Sequence, residues 1–381
     1  MRRLVALVGA VILVDTMFYA AITPLLPELS DRLGVGKAGA GLLAGAYAIG
    51  NLLGALPGGW LAARAGVRTA VLTGLAIMSA AGLVFAFGDS IVVLDAARLL
   101  HGLGGACSWA GGMAWLATAV PPERRGEVIG TALGAAIFGV QLGPVLGTLA
   151  TAIGQEAAFS LMALLGAGLA AWALTTPAPP GRPQPLTAPF SALRRRSVRV
   201  GIWLTVLPAM AFGVLDVLAP LRLDELGATG LAVGATFFVA AGIEALVSPA
   251  AGRISDRRGA TAVIRPALFA AVVALVVLQI PDTAVALAAA VVLAAGVLGV
   301  LWAPAGGILS RGAERVGLEQ GYAFGLFNLA WASGFTAGSA AGGSMAEATG
   351  DAGPYLLVAL LFALTGLRAL GSSGAAATVR P

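Results

Sequence analysis

Apolar residues run along the chain in long, nearly unbroken blocks separated by short polar or Pro/Gly breaks. A bilayer-crossing helix needs about 20 such residues. Read this way, the pattern predicts twelve spans: 4–26, 38–60, 70–88, 91–118, 127–150, 157–175, 200–220, 231–251, 262–280, 284–309, 320–346 and 354–371. The blocks are continuous runs of Ala, Leu, Val and Gly, without the alternation of a membrane β-barrel. Because lipid satisfies no backbone hydrogen bonds, the expectation is an all-α membrane protein with twelve transmembrane helices.

The blocks repeat. A shift of 193 residues carries Asp31, Leu33 and Gly34 onto Asp224, Leu226 and Gly227, and carries Gly59, Arg64 and Gly66 onto Gly252, Arg257 and Gly259. A shift of 195 carries Gly126, Gly130, Gly139, Gly143 and Gly147 onto Gly321, Gly325, Gly334, Gly338 and Gly342. A nearly constant offset across several helices predicts two pseudo-symmetric six-helix bundles, at 1–175 and 200–371. Parallel repeats of this kind imply a cavity between them and alternating access by rocking. Between them, 176–199 is a Pro/Arg-rich linker, and 372–381 reads as a tail.

Composition sharpens this picture. Hydrophobic residues make up 59% of the chain and charged residues 11%, too few to cover a soluble surface of this size. The 54 glycines suit close contact between membrane helices. With Cys107 and His101 each alone of their kind, a disulfide, a cysteine cluster or a histidine-rich metal site is not expected. No phosphate-binding loop or nucleophile–base constellation is visible, so no cofactor, ATP-driven step or enzyme activity is expected.

Charge sets orientation. With the N-terminus inside, Arg32, Lys37 and Arg222 fall in outer loops and Arg98 within a span; the other 19 of 23 Lys/Arg lie on the inner side. The positive-inside rule then places both termini in the cytoplasm of a cell inner (plasma) membrane, and makes the basic balance a matter of topology and inner-leaflet lipid, not nucleic acid. Met1-Arg2-Arg3 and the apolar run after it resemble a signal peptide, but Asp15 interrupts the run, and the segment reads as an uncleaved first helix.

Several motifs fall in order along these helices. After the second span come Gly59, Leu61, Arg64, Gly66 and Arg68, echoed by Gly252, Asp256, Arg257 and Gly259. The fourth span holds Arg98, Gly102 and Gly104, with His101 between; the fifth holds Gly139, Gly143, Pro144 and Gly147; the first holds Asp15, Pro24 and Pro27. Together they resemble the major facilitator superfamily, specifically its twelve-helix drug/proton antiporters and the related vesicular amine transporters. The resemblance covers essentially the whole chain and implies the major facilitator fold, with the two Arg/Gly loop motifs acting in gating. The chain departs from the pattern at Ala63, where the family carries a loop aspartate, and at His101, where it carries Gln. The first departure implies that a lock made by that carboxylate is weakened or has moved to Asp256.

Ionisable groups in the bilayer core are costly and so are functional candidates. Asp15 lies near the midplane of the first helix, where it can exchange a proton or neutralise a cationic substrate, or simply pair with a neighbouring helix. Tyr19 is one turn on. Glu244 is the second candidate proton carrier, with Asn51 opposite it in the repeat, although a hydrogen bond within a helix interface accounts for it equally well. Asp216 reads as a further acid or as a residue facing an aqueous vestibule. Asp95 and His101, each three residues from Arg98, are both within reach of it, giving a proton relay or a local ion pair. The glycines of the fifth span form a stripe for close packing, bent by Pro144. Among the aromatic residues Phe18, Tyr47, Trp109, Trp115, Tyr322, Phe327 and Trp331, most are expected to pack or anchor, and Trp331 is the preferred cavity residue with Tyr19.

The expected function is a proton-coupled antiporter, a monomer, exporting small lipophilic or cationic compounds in the manner of multidrug efflux. A facilitator or symporter for an organic anion or sugar, with Arg98 as its ligand, is the alternative. A membrane receptor that moves no solute comes third.

Overall fold

The computed structural model describes residues 2–119, 125–178, 192–317 and 320–377. Most of the expected linker, 179–191, and the last residues, 378–381, lie outside them.

Among the described residues the regular structure is helical. The elements are α1 (Arg2–Ala20), a 3-10 turn (Thr23–Leu25), α2 (Leu26–Leu33), α3 (Lys37–Ala65), α4 (Val67–Ala86), α5 (Ile91–Ala119), α6 (Arg125–Ile153) and α7 (Gln155–Thr175). They continue with α8 (Arg196–Glu225), α9 (Gly230–Arg258), α10 (Ala260–Val277), α11 (Ala284–Gly299), α12 (Trp302–Glu314), α13 (Gln320–Thr336), a π segment (Ala337–Ala341), α14 (Gly342–Thr349) and α15 (Ala352–Ala377). Among the described residues ten helices are long and apolar enough to cross a membrane, and a shorter apolar helix covers Ala352–Arg368. This is consistent with the expected twelve. The helices outrun the apolar blocks by up to about two turns, because polar end residues continue a helix once it is nucleated. The last helix reaches Ala377, past the point where the tail was expected to begin.

The interruptions have local causes. Pro24 and Pro27, which lack the N–H an α-helix interior needs, fall in the 3-10 turn after α1 and in the first turn of α2. Thr229 and Thr283 cap α9 and α11, each hydroxyl accepting from the backbone N–H three residues on. Glycine takes the left-handed turns, and these follow the sequence repeat. Gly34 (φ 62) matches Gly227 (φ 82), and Gly66 (φ 96) matches Gly259 (φ 85), each pair 193 residues apart. The backbone therefore turns the same way at equivalent places.

Helix contacts repeat too. A Cβ on Gly139 of α6 would strike Leu13 of α1, and one on Gly334 of α13 would strike Val206 of α8. Gly143 is likewise pressed on Ala20, and Gly338 on Met210. Both glycine stripes let two helix backbones meet without intervening side chains.

The first seven helices meet the later ones mainly along two seams. In one, Gly41 and Gly45 of α3 lie on Ser339, and Gly343 lies on the Lys37 carbonyl. In the other, Gly234 of α9 lies against Thr148 of α6, and Gln141 Nε2 donates to the Phe238 carbonyl at 3.3 Å. Both seams run toward the end carrying the turns at Gly34, Gly227 and Gly350. At that end Lys37 Nζ is 2.6 Å from Asp351 and 3.4 Å from Glu225, Arg222 pairs with Glu225 at 2.9 Å, and the Ala38 N–H donates to Glu347. Toward the opposite end of the same helices, Gly59 and Gly325 have nothing within 4 Å of where a Cβ would stand.

Candidate functional site

Asp15 lies in the interior of α1, its side chain wholly buried. A carboxylate taken out of water needs replacement donors, and two other helices supply them. Tyr47 of α3 donates its hydroxyl to Oδ2 at 2.9 Å, and Trp109 of α5 donates Nε1 to the same oxygen at 2.8 Å. His101 Nε2 stands 3.1 Å from Oδ1, close enough for an ion pair when protonated but not aligned as a hydrogen bond. His101, Gly105 and Trp109 are four residues apart, so one face of α5 presents all three to α1. Gly105 makes the space: a Cβ there would stand 2.8 Å from Asp15 Oδ1 and 3.1 Å from the Tyr47 hydroxyl.

Arg98 is 2% exposed. Its Nη1 and Nη2 donate to the carbonyls of Phe18 and Tyr19 at 3.3 and 3.2 Å. These belong to the last turn of α1, where carbonyls lack intrahelical partners and the helix dipole is negative. The guanidinium also lies 5.9 Å from the ring centre of Tyr19 and 5.4 Å from that of Tyr47. Asp95, expected beside it, has no ion pair with Arg98 within 4 Å, and His101 has turned to Asp15. The three residues thus stand near one another without forming a relay.

A second carboxylate sits across the molecule. Glu244 of α9 accepts from Trp302 Nε1 of α12 at 2.7 Å, and it is part-exposed. The Trp302 ring stacks on Phe212 of α8 (5.9 Å, 15°) and meets Phe327 of α13 edge-on at 6.3 Å. Asp216 lies one turn beyond Phe212 on α8 and has no hydrogen-bond or ion-pair partner among the described residues.

Aromatic rings lie between the two acids. Tyr19 contacts Tyr47 (4.8 Å), Trp331 (5.4 Å) and Phe335 (5.6 Å), and Trp331 stacks on Phe335. Tyr19, Trp331, Phe212 and Trp302 all pack around a small core of Ala48, Ala209 and Phe335. Asn51 is buried one turn beyond Tyr47, where α3 lies on Gly102 of α5.

The loop-motif residues stand apart from this site. Arg64 covers the Trp60 ring at 5.6 Å, and Arg68 donates to the Thr176 carbonyl, tying the start of α4 to the end of α7. Gly66 and Gly259 make left-handed turns, Gly252 lies against Ala303, and Arg257 is exposed. The side chains of Ala63 and Asp256 lie outside the description. In α6, Gly139, Gly143 and Gly147 seat α1, while the Pro144 carbonyl faces Gly234 of α9.

Trp302, Phe212, Phe335 and Gly105 were not singled out from sequence. Trp302 carried a usable signal, because it lies 193 residues after Trp109, the same offset as the repeat.

A family model described as Major Facilitator Superfamily matches residues 8–318. The MFS-type transporter ppzB of Metarhizium rileyi is 32% identical over 157 residues, covering 40% of this chain and 32% of that protein. The synaptic vesicular amine transporter of Homo sapiens is 38% identical over 109 residues, covering 28% of this chain and 21% of that protein. The matched segments thus span about a third or less of these relatives' length. Among solved structures, a D-xylose-proton symporter superposes with a TM-score of 0.75 at 16% identity, covering 96% of each chain. The human organic anion transporter MFSD10 (TETRAN) gives 0.73 at 19% identity, covering 97% of this chain and 99% of that one.

Proposed function

Since the chain belongs to the major facilitator superfamily, we propose that it is a proton-coupled antiporter that exports small lipophilic cations by alternating access. The observation that carries this reading is Asp15: an acid wholly buried in α1, held by a phenol, an indole and an imidazole, and ion-paired to no Lys or Arg among the described residues. A proton on that carboxylate removes the charge that Tyr47 and Trp109 serve, and so changes how α1, α3 and α5 hold together. A ligand shifts an equilibrium only by binding its states differently, and the charge on Asp15 supplies such a difference.

In this reading the bundles 1–175 and 200–371 rock about the aromatic run, joined by the linker 176–199. Both termini are cytoplasmic in a plasma membrane, and the protein acts as a monomer in lipid. The end carrying the Lys37 cluster is then the outer, closed end. The glycines of α6 let α1 slide or rotate against it, and the loop motifs at Arg64 and Arg68, and at Asp256 and Arg257, steady the inner end. The kinship with an amine transporter favours a cationic substrate. Arg98 already serves two α1 carbonyls, which counts against its binding an organic anion or a sugar.

The test is export in proteoliposomes under an imposed pH gradient. Asp15→Asn is expected to abolish proton-driven flux of lipophilic cations while the protein remains monodisperse. Full flux by that variant refutes the reading.

A further inference from the structure

Two carboxylates in this protein are each held by an indole N–H, and the two tryptophans, Trp109 and Trp302, are equivalents in the sequence repeat. Their acceptors are not equivalent: one indole serves α1, the other α9. Each acid is pressed on a glycine, a Cβ on Gly105 standing 2.8 Å from Asp15 Oδ1 and one on Gly299 standing 2.8 Å from Glu244 Cγ. The two settings differ in exposure, charge and wall.

At Asp15 the space is full. The carboxylate is wholly buried among Tyr47, Trp109 and His101, and Gly105 is needed merely to admit it. The Arg98 guanidinium sits over the two neighbouring tyrosines, its positive charge opposed to any second cation. A proton fits there; an ammonium group with its substituents does not. Glu244 has one side-chain donor, is part-exposed, and has no Lys or Arg ion pair among the described residues. Asp216, one turn beyond Phe212 on α8, adds a second acid with no basic partner among the described residues. Two acids without a counter-cation among those residues favour a positive guest. The neighbouring rings are Phe212, stacked on Trp302, and Phe327, edge-on to it; a poorly hydrated cation is attracted to the open face of such a ring, not to its edge. The rings of Trp331, Phe335 and Tyr19 continue the apolar surface for the rest of such a molecule.

We propose that Glu244, Trp302, Phe212 and Phe327, with Asp216 beside them, seat the positive head of a lipophilic organic cation, and that Asp15 keeps the proton. The proposal rests on the antiporter reading and divides its two ligands between two stations. Competition between them then travels through the aromatic run and the helices, not through a shared carboxylate.

The experiment is equilibrium binding of radiolabelled tetraphenylphosphonium, a permanently charged lipophilic cation, to the full chain in detergent. Glu244→Gln is expected to weaken binding about tenfold, the scale of losing a desolvated counter-charge at an aromatic site. Trp302→Phe keeps the ring but loses the N–H, and is expected to weaken binding about threefold. Asp15→Asn is expected to lose less affinity than Glu244→Gln. A larger loss from Asp15→Asn, or wild-type affinity in a monodisperse Glu244→Gln protein, overturns the division while leaving the antiporter reading standing. Failure of the wild-type protein to bind the probe or to move it under a pH gradient overturns both.

Discussion

The Asp15 and Glu244 stations share an indole donor and a glycine pressed on the acid, and differ in burial, in their other donors and in neighbouring charge. Each carboxylate accepts from an indole at a matched place in the repeat, yet one is closed in by three side chains and the other opens beside a second acid. On the proposed reading, the repeat supplies two equivalent indole positions as scaffold, and the placement of the acid on a different helix gives each position its task.

Substitutions at the two indoles test this contrast most strongly. Trp109→Phe is expected to cut the proton-driven rate about tenfold or more, because a buried carboxylate loses a hydrogen bond. Trp302→Phe is expected to raise the half-saturating substrate concentration with little change in maximal rate. Initial rates across substrate concentrations separate the two, and identical effects from both variants collapse the distinction. Next in size is Gly105→Ala. Its methyl meets a pinned carboxylate at 2.8 Å and is expected to cost about 1–3 kcal/mol, as overpacking does. It should appear as a lowered melting temperature together with slowed proton-coupled transport, and an unchanged melting curve would show that the pocket has slack. Arg98→Lys comes third: it keeps the charge but loses the fork that reaches two carbonyls, and is expected to lower thermal stability by about 1 kcal/mol while leaving cation affinity within about twofold. Loss of binding there instead would point back to a substrate anion. The smallest effect is expected at His101→Gln, which keeps a polar side chain near Asp15; transport should stay within about threefold of wild type.

Much of this was legible before any coordinates. Apolar blocks located the helices, because burying twenty residues in lipid dominates every local preference. The repeat paired Gly34 with Gly227 and Gly66 with Gly259, and the structure gives both members of each pair a positive φ. Asp15 and Glu244 announced themselves as acids where acids are costly. Their partners did not, because a helix that is apolar all round gives no sign of how it is rotated against its neighbours. Arg98 illustrates the limit. Spacing along α5 allowed it to reach Asp95 and His101, but the unpaired carbonyls at the end of α1 attract it more strongly, and nothing within α5 reports them. Asn51 and Glu244, matched by the repeat, keep comparable surroundings: Asn51 is buried where α3 meets Gly102 of α5, and Glu244 lies where α9 meets Gly299 of α11. Only the side chain differs, and with it the ability to carry charge.

The charge cluster at Lys37 has a thermodynamic consequence. Its members are partly hydrated, with Lys37 and Asp351 each 26% exposed and Glu225 45%. Ion pairs of that kind contribute up to about 1 kcal/mol each, and less as ionic strength rises. On the proposed reading, they set the register of this end when it is closed, without locking it. A preference of that size lies within the few kcal/mol by which one well-discriminating guest tilts a two-state balance, so the turns that would seal the molecule leave it willing to unseal.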